Sequence, residues 1–221
     1  MTDYREELDR ALALTGADHQ LPARARADEI ARLARSHLGD PVTLDALDVG
    51  CGVGITDRQL RGRFGSLTGT DVSEAVLETA KRENPDVRYV RGERDRLPFE
   101  DGTFDLVFAS SVVQVVPIAD RPGFVSELAR VTRRDGLAIV VEHNPYNPAA
   151  QLVVHRFRSD EPILMLSLRQ IKHLLRGNGL LPVESGFFLL APSRRARLLR
   201  IERGLRRLPI GAQYYVAAQR S

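Results

Sequence analysis

Leu47-Asp48-Val49-Gly50-Cys51-Gly52-Val53-Gly54 is a short apolar run that breaks into alternating glycines. Thr43 to Val49 reads as a buried strand, and Ile55 to Phe64 as a helix beginning where the glycines end. Glycine lets the chain turn sharply, and lets the backbone touch a ligand where a Cβ would block it. A dinucleotide fingerprint, G-x-G-x-x-G, would place its third glycine at Ile55; here it comes at Gly54. No Gly-Lys-Ser/Thr follows, so the phosphate loop is absent too. The turn therefore points to a ligand without a diphosphate.

The same alternation extends outward in both directions. Residues 4–14 and 23–38 read as helices: Leu8, Ala11 and Leu12 share a face of the first, and Ile30, Leu33, Ala34 and Leu38 a face of the second. Gly39-Asp40-Pro41 stops the second helix. After the glycine turn, Ser66 to Thr70 is strand-like, and a helix runs to Arg82 with Ser73 as its N-cap. Strands are expected at Val87 to Val90, Phe104 to Ala109, Leu137 to Glu142, Val183 to Leu190 and Gln213 to Gln219. Helices are expected at Ala119 to Thr132 and Ser167 to Asn178. Apolar strands alternating with helices predict an α/β fold: a Rossmann-like sheet, mostly parallel, covered by helices on both faces. Such sheets bind ligands beyond the carboxyl ends of their strands, where the strand order reverses.

The 221 residues suit one domain with a well-buried core. A hydrophobic fraction of 43% against 28% charged excludes a disordered chain. No apolar run approaches the ~20 residues of a membrane span. The polar start, Met1 to Glu7, does not read as a signal peptide. Cys51 is the single cysteine, so no internal disulfide can form, and a reducing cytoplasm is the expected setting. Net charge is +3, carried almost wholly by arginine.

The second strand ends at Thr70-Asp71. A carboxylate there, 21 residues after Gly50, can accept paired hydrogen bonds from a ribose diol. The alternative is that Asp71 only caps the following helix. With these residues in place, the chain resembles the class I S-adenosylmethionine-dependent methyltransferases, nearest to the small-molecule, natural-product and quinone-biosynthesis enzymes. Three blocks carry the resemblance: Leu47 to Gly54; Gly69-Thr70-Asp71-Val72-Ser73; and Gly92 to Val107, with its Leu97-Pro98-Phe99 and Phe104-Asp105-Leu106-Val107. It is strong over residues 43–142. It implies seven strands with the last antiparallel, and S-adenosylmethionine as cofactor. It also implies a helical N-terminal extension or lid over residues 1–40 on a methyltransferase domain over 41–221. The turn from Asp48 through Gly50, Gly52 and Gly54 would hold the methionine part, and Asp71 with Val72 the ribose. Glu93 would meet the adenine amine, where the family usually has aspartate, and the backbone of Arg94 the ring. Ser110 would line the methionine side. A histidine often follows a few residues on; Gln114 stands there instead.

Methyl transfer requires the nucleophile to be positioned, and a base where the acceptor carries a proton. The best acceptor-side candidates are Glu142 and His143, which emerge with Asn144 from the apolar strand Ala138 to Val141. Histidine titrates near neutrality and suits a general base; the competing reading is a hydrogen-bonded residue packed at the strand end. Alternation along the strand puts Glu142 and Asn144 on the face away from His143. The sequence offers no clear cluster of metal ligands. His155 and His173 read as structural, while Tyr4, His19 and the N-terminal helices are placed to cover the pocket.

Between the last two strands, seven arginines over residues 194–207 interleave with Leu198, Ile201, Leu205 and Leu208 at helical spacing. This basic amphipathic helix could pack on the sheet or on a second subunit of a homodimer, touch an anionic membrane surface, or pair with an acidic acceptor. Nucleic acid is disfavoured, since aromatic interleaving and tryptophan are absent. The expected activity is methyl transfer to an O, N or C nucleophile of a small metabolite. The alternatives are a lipid or isoprenoid-linked acceptor at a membrane surface, and a non-catalytic cofactor-binding partner subunit.

Overall fold

A computed structural model describes residues 20–156, 162–189 and 204–221. The helix expected over 4–14, Tyr4, His19 and the arginine-rich stretch up to Arg203 lie outside the described residues. In chain order the elements are α1 (Gln20–His37), β1 (Asp45–Val49), α2 (Ile55–Leu60), β2 (Ser66–Asp71), α3 (Glu74–Glu83), β3 (Arg88–Arg91), β4 (Phe104–Ser110), α4 (Arg121–Val131), β5 (Thr132–His143), α5 (Pro148–Arg156), α6 (Leu168–Arg176), β6 (Leu180–Phe188) and β7 (Gln213–Arg220). The sheet has seven strands in the order β3-β2-β1-β4-β5-β7-β6. β1 to β5 are mutually parallel, and β7 runs antiparallel to both β5 and β6.

The central strands carry apolar runs that point to both faces, because both faces are covered. Along β4, Val107 and Ala109 join Val125 and Leu128 of α4 and Ile171 and Leu175 of α6 in one core. Leu106 and Phe108 join Ala27, Ile30, Leu33 and Ala34 of α1 in the other. Each fully buried aliphatic side chain contributes about 1.5–3 kcal/mol over an exposed one. α1 therefore belongs to the same packed body as the sheet.

Several boundaries differ from the sequence reading. α2 stops at Leu60 instead of reaching Phe64, because Gly62 takes a left-handed φ of +68°. β5 starts at Thr132, directly after α4, instead of at Leu137. Its first residues are irregular, with Asp135 at φ +59° and a register shift against Phe104/Leu106. Arg133 anchors that stretch by ion pairs to Asp45 and Asp105. A helix that the sequence reading did not expect follows β5, with Pro148 opening it as α5. β6 is displaced three residues toward the N-terminus of its expected start at Val183.

Candidate functional site

Gly50, Gly52 and Gly54 all have positive φ, at +75°, +55° and +71°. The turn is fastened to β2 at three points. The amides of Gly50 and Cys51 donate to the Thr70 carbonyl at 2.8 and 3.1 Å. Asp71 accepts from the Gly52 amide through Oδ2 and from the Ser73 amide through Oδ1, each at 3.0 Å. Asp71 thus caps α3 in place of Ser73, whose own side chain makes no capping bond. Each carboxylate oxygen keeps a second lone pair for a ligand.

A cavity of about 550 Å³ opens above this turn, at the carboxyl ends of the parallel strands. Its volume lies in the range usual for small-molecule sites, about 300–1,000 Å³. Asp48, Gly50, Gly52, Asp71, Val72, Glu93, Arg94 and Ser110 all line it, and so does His143. Val72 is exposed there, as is Glu93 at the mouth. Gly54 is not among the lining residues: a Cβ on it would meet Asn84 Nδ2 and Tyr89 Oη at 2.5 Å. Its role is to let the turn settle against α3 and β3. A Cβ on Gly52, by contrast, would meet nothing within 4 Å. The segment from Leu97 to Phe99 is fixed from α4: Arg130 donates to the carbonyls of Leu97 and Phe99, and Glu127 accepts from the Leu97 amide. The Phe99 ring meets Phe104 edge to face.

Besides Asp48 Oδ1, four side-chain oxygens around the cavity are buried without a partner: Thr70 Oγ1, Ser110 Oγ, Ser111 Oγ and Gln213 Oε1. Buried polar groups are normally satisfied, so these mark where a polar ligand would complete the bonding. Asp48 faces a second buried carboxyl, Asp57 of α2, whose Oδ1 is also without a donor. Burial, then the neighbouring Asp57, pushes Asp48 well above the usual carboxylate range, and burial pushes Asp57 up as well. A single proton between the two satisfies both oxygens. Tyr89 donates to Asp57 Oδ2 at 2.9 Å, and Asn84 donates to Tyr89 and to the Gly54 carbonyl.

On the other side of the cavity, the sequence pair at the end of β5 is split. His143 lines the cavity; Glu142 does not. Glu142 is fully buried and accepts from the Val113 amide at 2.8 Å, bracing the loop after β4. Burial raises it to about 8 against the pull of those amides and of Arg121. Asn144, fully buried beside Glu142 as strand alternation requires, donates to the Pro209 and Gly211 carbonyls and ties the exit of β5 to the approach of β7. Burial, with Arg26 adding its charge, lowers His143 to about 4, so the ring is neutral at physiological pH. Its Nδ1 lies 3.1–3.2 Å from the Gln114 amide, which leaves Nε2 to meet a ligand.

Sequence reasoning missed Thr70, Ser111 and Gln213 as lining residues. The one available signal for Gln213 was a lone polar residue opening the apolar strand Tyr214 to Ala218. Ser111 gave none: its place follows from a φ of +63° that only the folded chain shows.

Fold and cavity together define an α/β protein whose cavity lies where strand order reverses, between β1 and β4. Known proteins of related sequence and fold offer a comparison. Residues 47–140 match the methyltransferase domain family. Over 132 residues the chain is 32% identical to the demethylmenaquinone methyltransferase of Beutenbergia cavernae, covering 55% of this chain and 54% of that one. Over 182 residues it is 31% identical to the phthiotriol/phenolphthiotriol dimycocerosates methyltransferase of Mycobacterium tuberculosis, covering 80% and 64%. The chain thus spans between about half and two thirds of these relatives' lengths. Geranyl diphosphate C-methyltransferase from Streptomyces coelicolor, solved with Mg2+, geranyl diphosphate and S-adenosyl-L-homocysteine, shares the fold with a TM-score of 0.62. Identity there is 20%, over 88% of this chain and 79% of that one. The chain is thus similar to methyltransferases over its central part, and it shares its fold with a solved methyltransferase.

Proposed function

We propose that this chain binds S-adenosylmethionine in the half of the cavity above the glycine turn and methylates an O, N or C nucleophile of a small metabolite in the other half. The observation that carries the reading is one continuous cavity bounded by the glycine turn and Asp71 at one side and by His143 at the other. The donor set suits the cofactor. Asp48 and the orphaned hydroxyls of Ser110 and Ser111 match an amino-acid end, Asp71 a ribose diol, and Glu93 an adenine amine. The open face of Gly52 leaves room for a ligand against the backbone. When bound, the cofactor supplies a methyl group activated by a sulfonium.

The chain's own residues then position and deprotonate. His143, neutral and held by Gln114, takes a proton from the acceptor at Nε2. Glu142 acts on the loop from Val112 to Gln114, and through it on Gln114 and His143. Transfer of label from methyl-labelled S-adenosylmethionine across a panel of phenols, amines and enols tests the reading. Label should reach at least one acceptor class with wild type, and the rate should fall at least tenfold with His143→Ala. Full rate in the variant removes His143 as base; no transfer to any class by wild type leaves the non-catalytic reading.

A lipid or isoprenoid-linked acceptor is the second reading. Leu21, Val153, Val154, Ile163 and Leu189 give the acceptor side an apolar wall, and the two curated relatives are named for a menaquinone precursor and for dimycocerosates. Among the described residues no helix is long and apolar enough to cross a membrane, so contact would be peripheral. Co-sedimentation with anionic vesicles, lost on Arg200/Arg203/Arg207→Glu, supports this reading; wild type staying in the supernatant ends it.

A further inference from the structure

Gln213, the first residue of β7, has no role in the chemistry described so far. It is 2% exposed, and its Oε1 is buried with no hydrogen-bond partner. It lines the cavity, and it pairs in register with His143 across β5 and β7. Directly opposed residues of an antiparallel pair project to the same face, so the two side chains enter the cavity side by side. The cavity wall carries apolar side chains, Leu21, Val153 and Leu189 among them, while His143 itself is flanked by Gln114 and feels the charge of Arg26. Leaving a buried amide oxygen unsatisfied carries its full desolvation penalty. A hydrogen-bond donor on the occupant removes that cost, and an occupant without one leaves it standing.

We propose that Gln213 is the residue that selects the methyl acceptor, by accepting a hydrogen bond from a neutral O–H or N–H group on an otherwise apolar molecule. The inference rests on the acceptor side of the cavity having the function proposed above. It narrows that function from any nucleophile to a protic one: an alcohol, phenol, enol or amine set on an apolar body. Gln213 and His143 stand opposite each other across β5 and β7; an NH2 group can donate to both at once, whereas an O–H has one proton and releases it from Gln213 when it passes to His143. Methyl ethers and hydrocarbons of the same shape are discriminated against, because each strands the amide oxygen.

The test uses a matched pair of fluorescent probes, 2-naphthol and 2-methoxynaphthalene, which share a ring system and differ in the O–H. Each is titrated against the full chain in the presence of S-adenosylhomocysteine. Wild type should bind 2-naphthol about tenfold more tightly than its methyl ether. Gln213→Met keeps the side-chain length without the amide, and should bring the two affinities within about twofold. Binding of S-adenosylhomocysteine itself, read by calorimetry, should be unchanged in the variant, which shows that the fold is intact. A tenfold preference that persists in Gln213→Met overturns the proposal. So does a wild type with no preference, including one that binds neither probe. If S-adenosylhomocysteine fails to bind wild type, the methyltransferase reading itself has failed; if it binds normally and the preference is missing, only the role of Gln213 has.

Discussion

Gly50, Gly52 and Gly54 share a left-handed backbone but serve three different purposes. A Cβ on Gly50 would strike Val112 at 2.5 Å, one on Gly54 would strike Asn84 and Tyr89, and one on Gly52 would project into open space. Gly54→Ala should therefore lower the melting temperature strongly, since it adds a clash to the backbone strain of about 1–2 kcal/mol. Gly52→Ala should cost only the strain, yet weaken cofactor binding by tenfold or more. Thermal melts and calorimetry on the two variants check the contrast, and equal melting temperatures would contradict it. The titrating residues also make a prediction with a definite sign. Glu142 is raised to about 8, so the folded protein keeps a proton that the unfolded chain has lost, and stability falls as pH rises through that range. His143 is lowered to about 4 from 6.5; it acts oppositely, and its contribution is lost as pH falls from 6.5 toward 4. Above about pH 7 Glu142 acts together with the buried Asp48–Asp57 pair, whose held proton has the same sign of effect. Glu142→Gln should then lessen the fall in urea midpoint between about pH 7 and pH 8.5; an unchanged fall contradicts the assignment. The residue-level reading from sequence was right that Glu142 and His143 face opposite ways. It could not tell which of the two faces the ligand, because that depends on the loop after β4.

At the scale of elements, type was easier to read than extent. The apolar runs at β1, β4 and β5 are legible because both sheet faces bury them. The stretch from Arg133 to Gly136 was not, because its charged residues form the solvent-facing start of β5, where Asp45 and Asp105 hold Arg133. α5 was passed over although Asn147-Pro148 carries a helix-start signal: the Asn147 side chain accepts from the Ala150 amide at 3.0 Å, with proline next in line. Asn147→Ala should fray α5, destabilise the protein by about 1 kcal/mol, and loosen the acceptor wall at Ala150 and Val153. Hydrogen exchange over residues 148–156 measures it; unchanged protection would show that packing alone holds the helix. α1 is the opposite case. Its stripe of Ile30, Leu33 and Ala34 was plain in the sequence and packs as fully buried core. Ile30→Ala should cost about 2–5 kcal/mol, readable by denaturant titration.

Across the whole molecule, the half of the cavity around the glycine turn was far more legible as cavity lining than the half around His143. Asp48, Gly50, Gly52, Asp71, Val72, Glu93, Arg94 and Ser110 come from consecutive strand ends within one stretch of chain, where local motifs record them. The half around His143 is assembled from α1, the loop after β4, the end of β5, α5 and the start of β7, segments far apart in sequence. No local pattern joins Arg26, Gln114, His143 and Gln213; the strand order does, by setting β7 against β5. The central claim is that the glycine turn and Asp71 hold S-adenosylmethionine. Calorimetric titration of the full chain with that cofactor tests it most directly. The expected result is one site per chain, with affinity at least tenfold weaker in Asp71→Ala. No binding by wild type, or equal binding by the variant, would contradict the account.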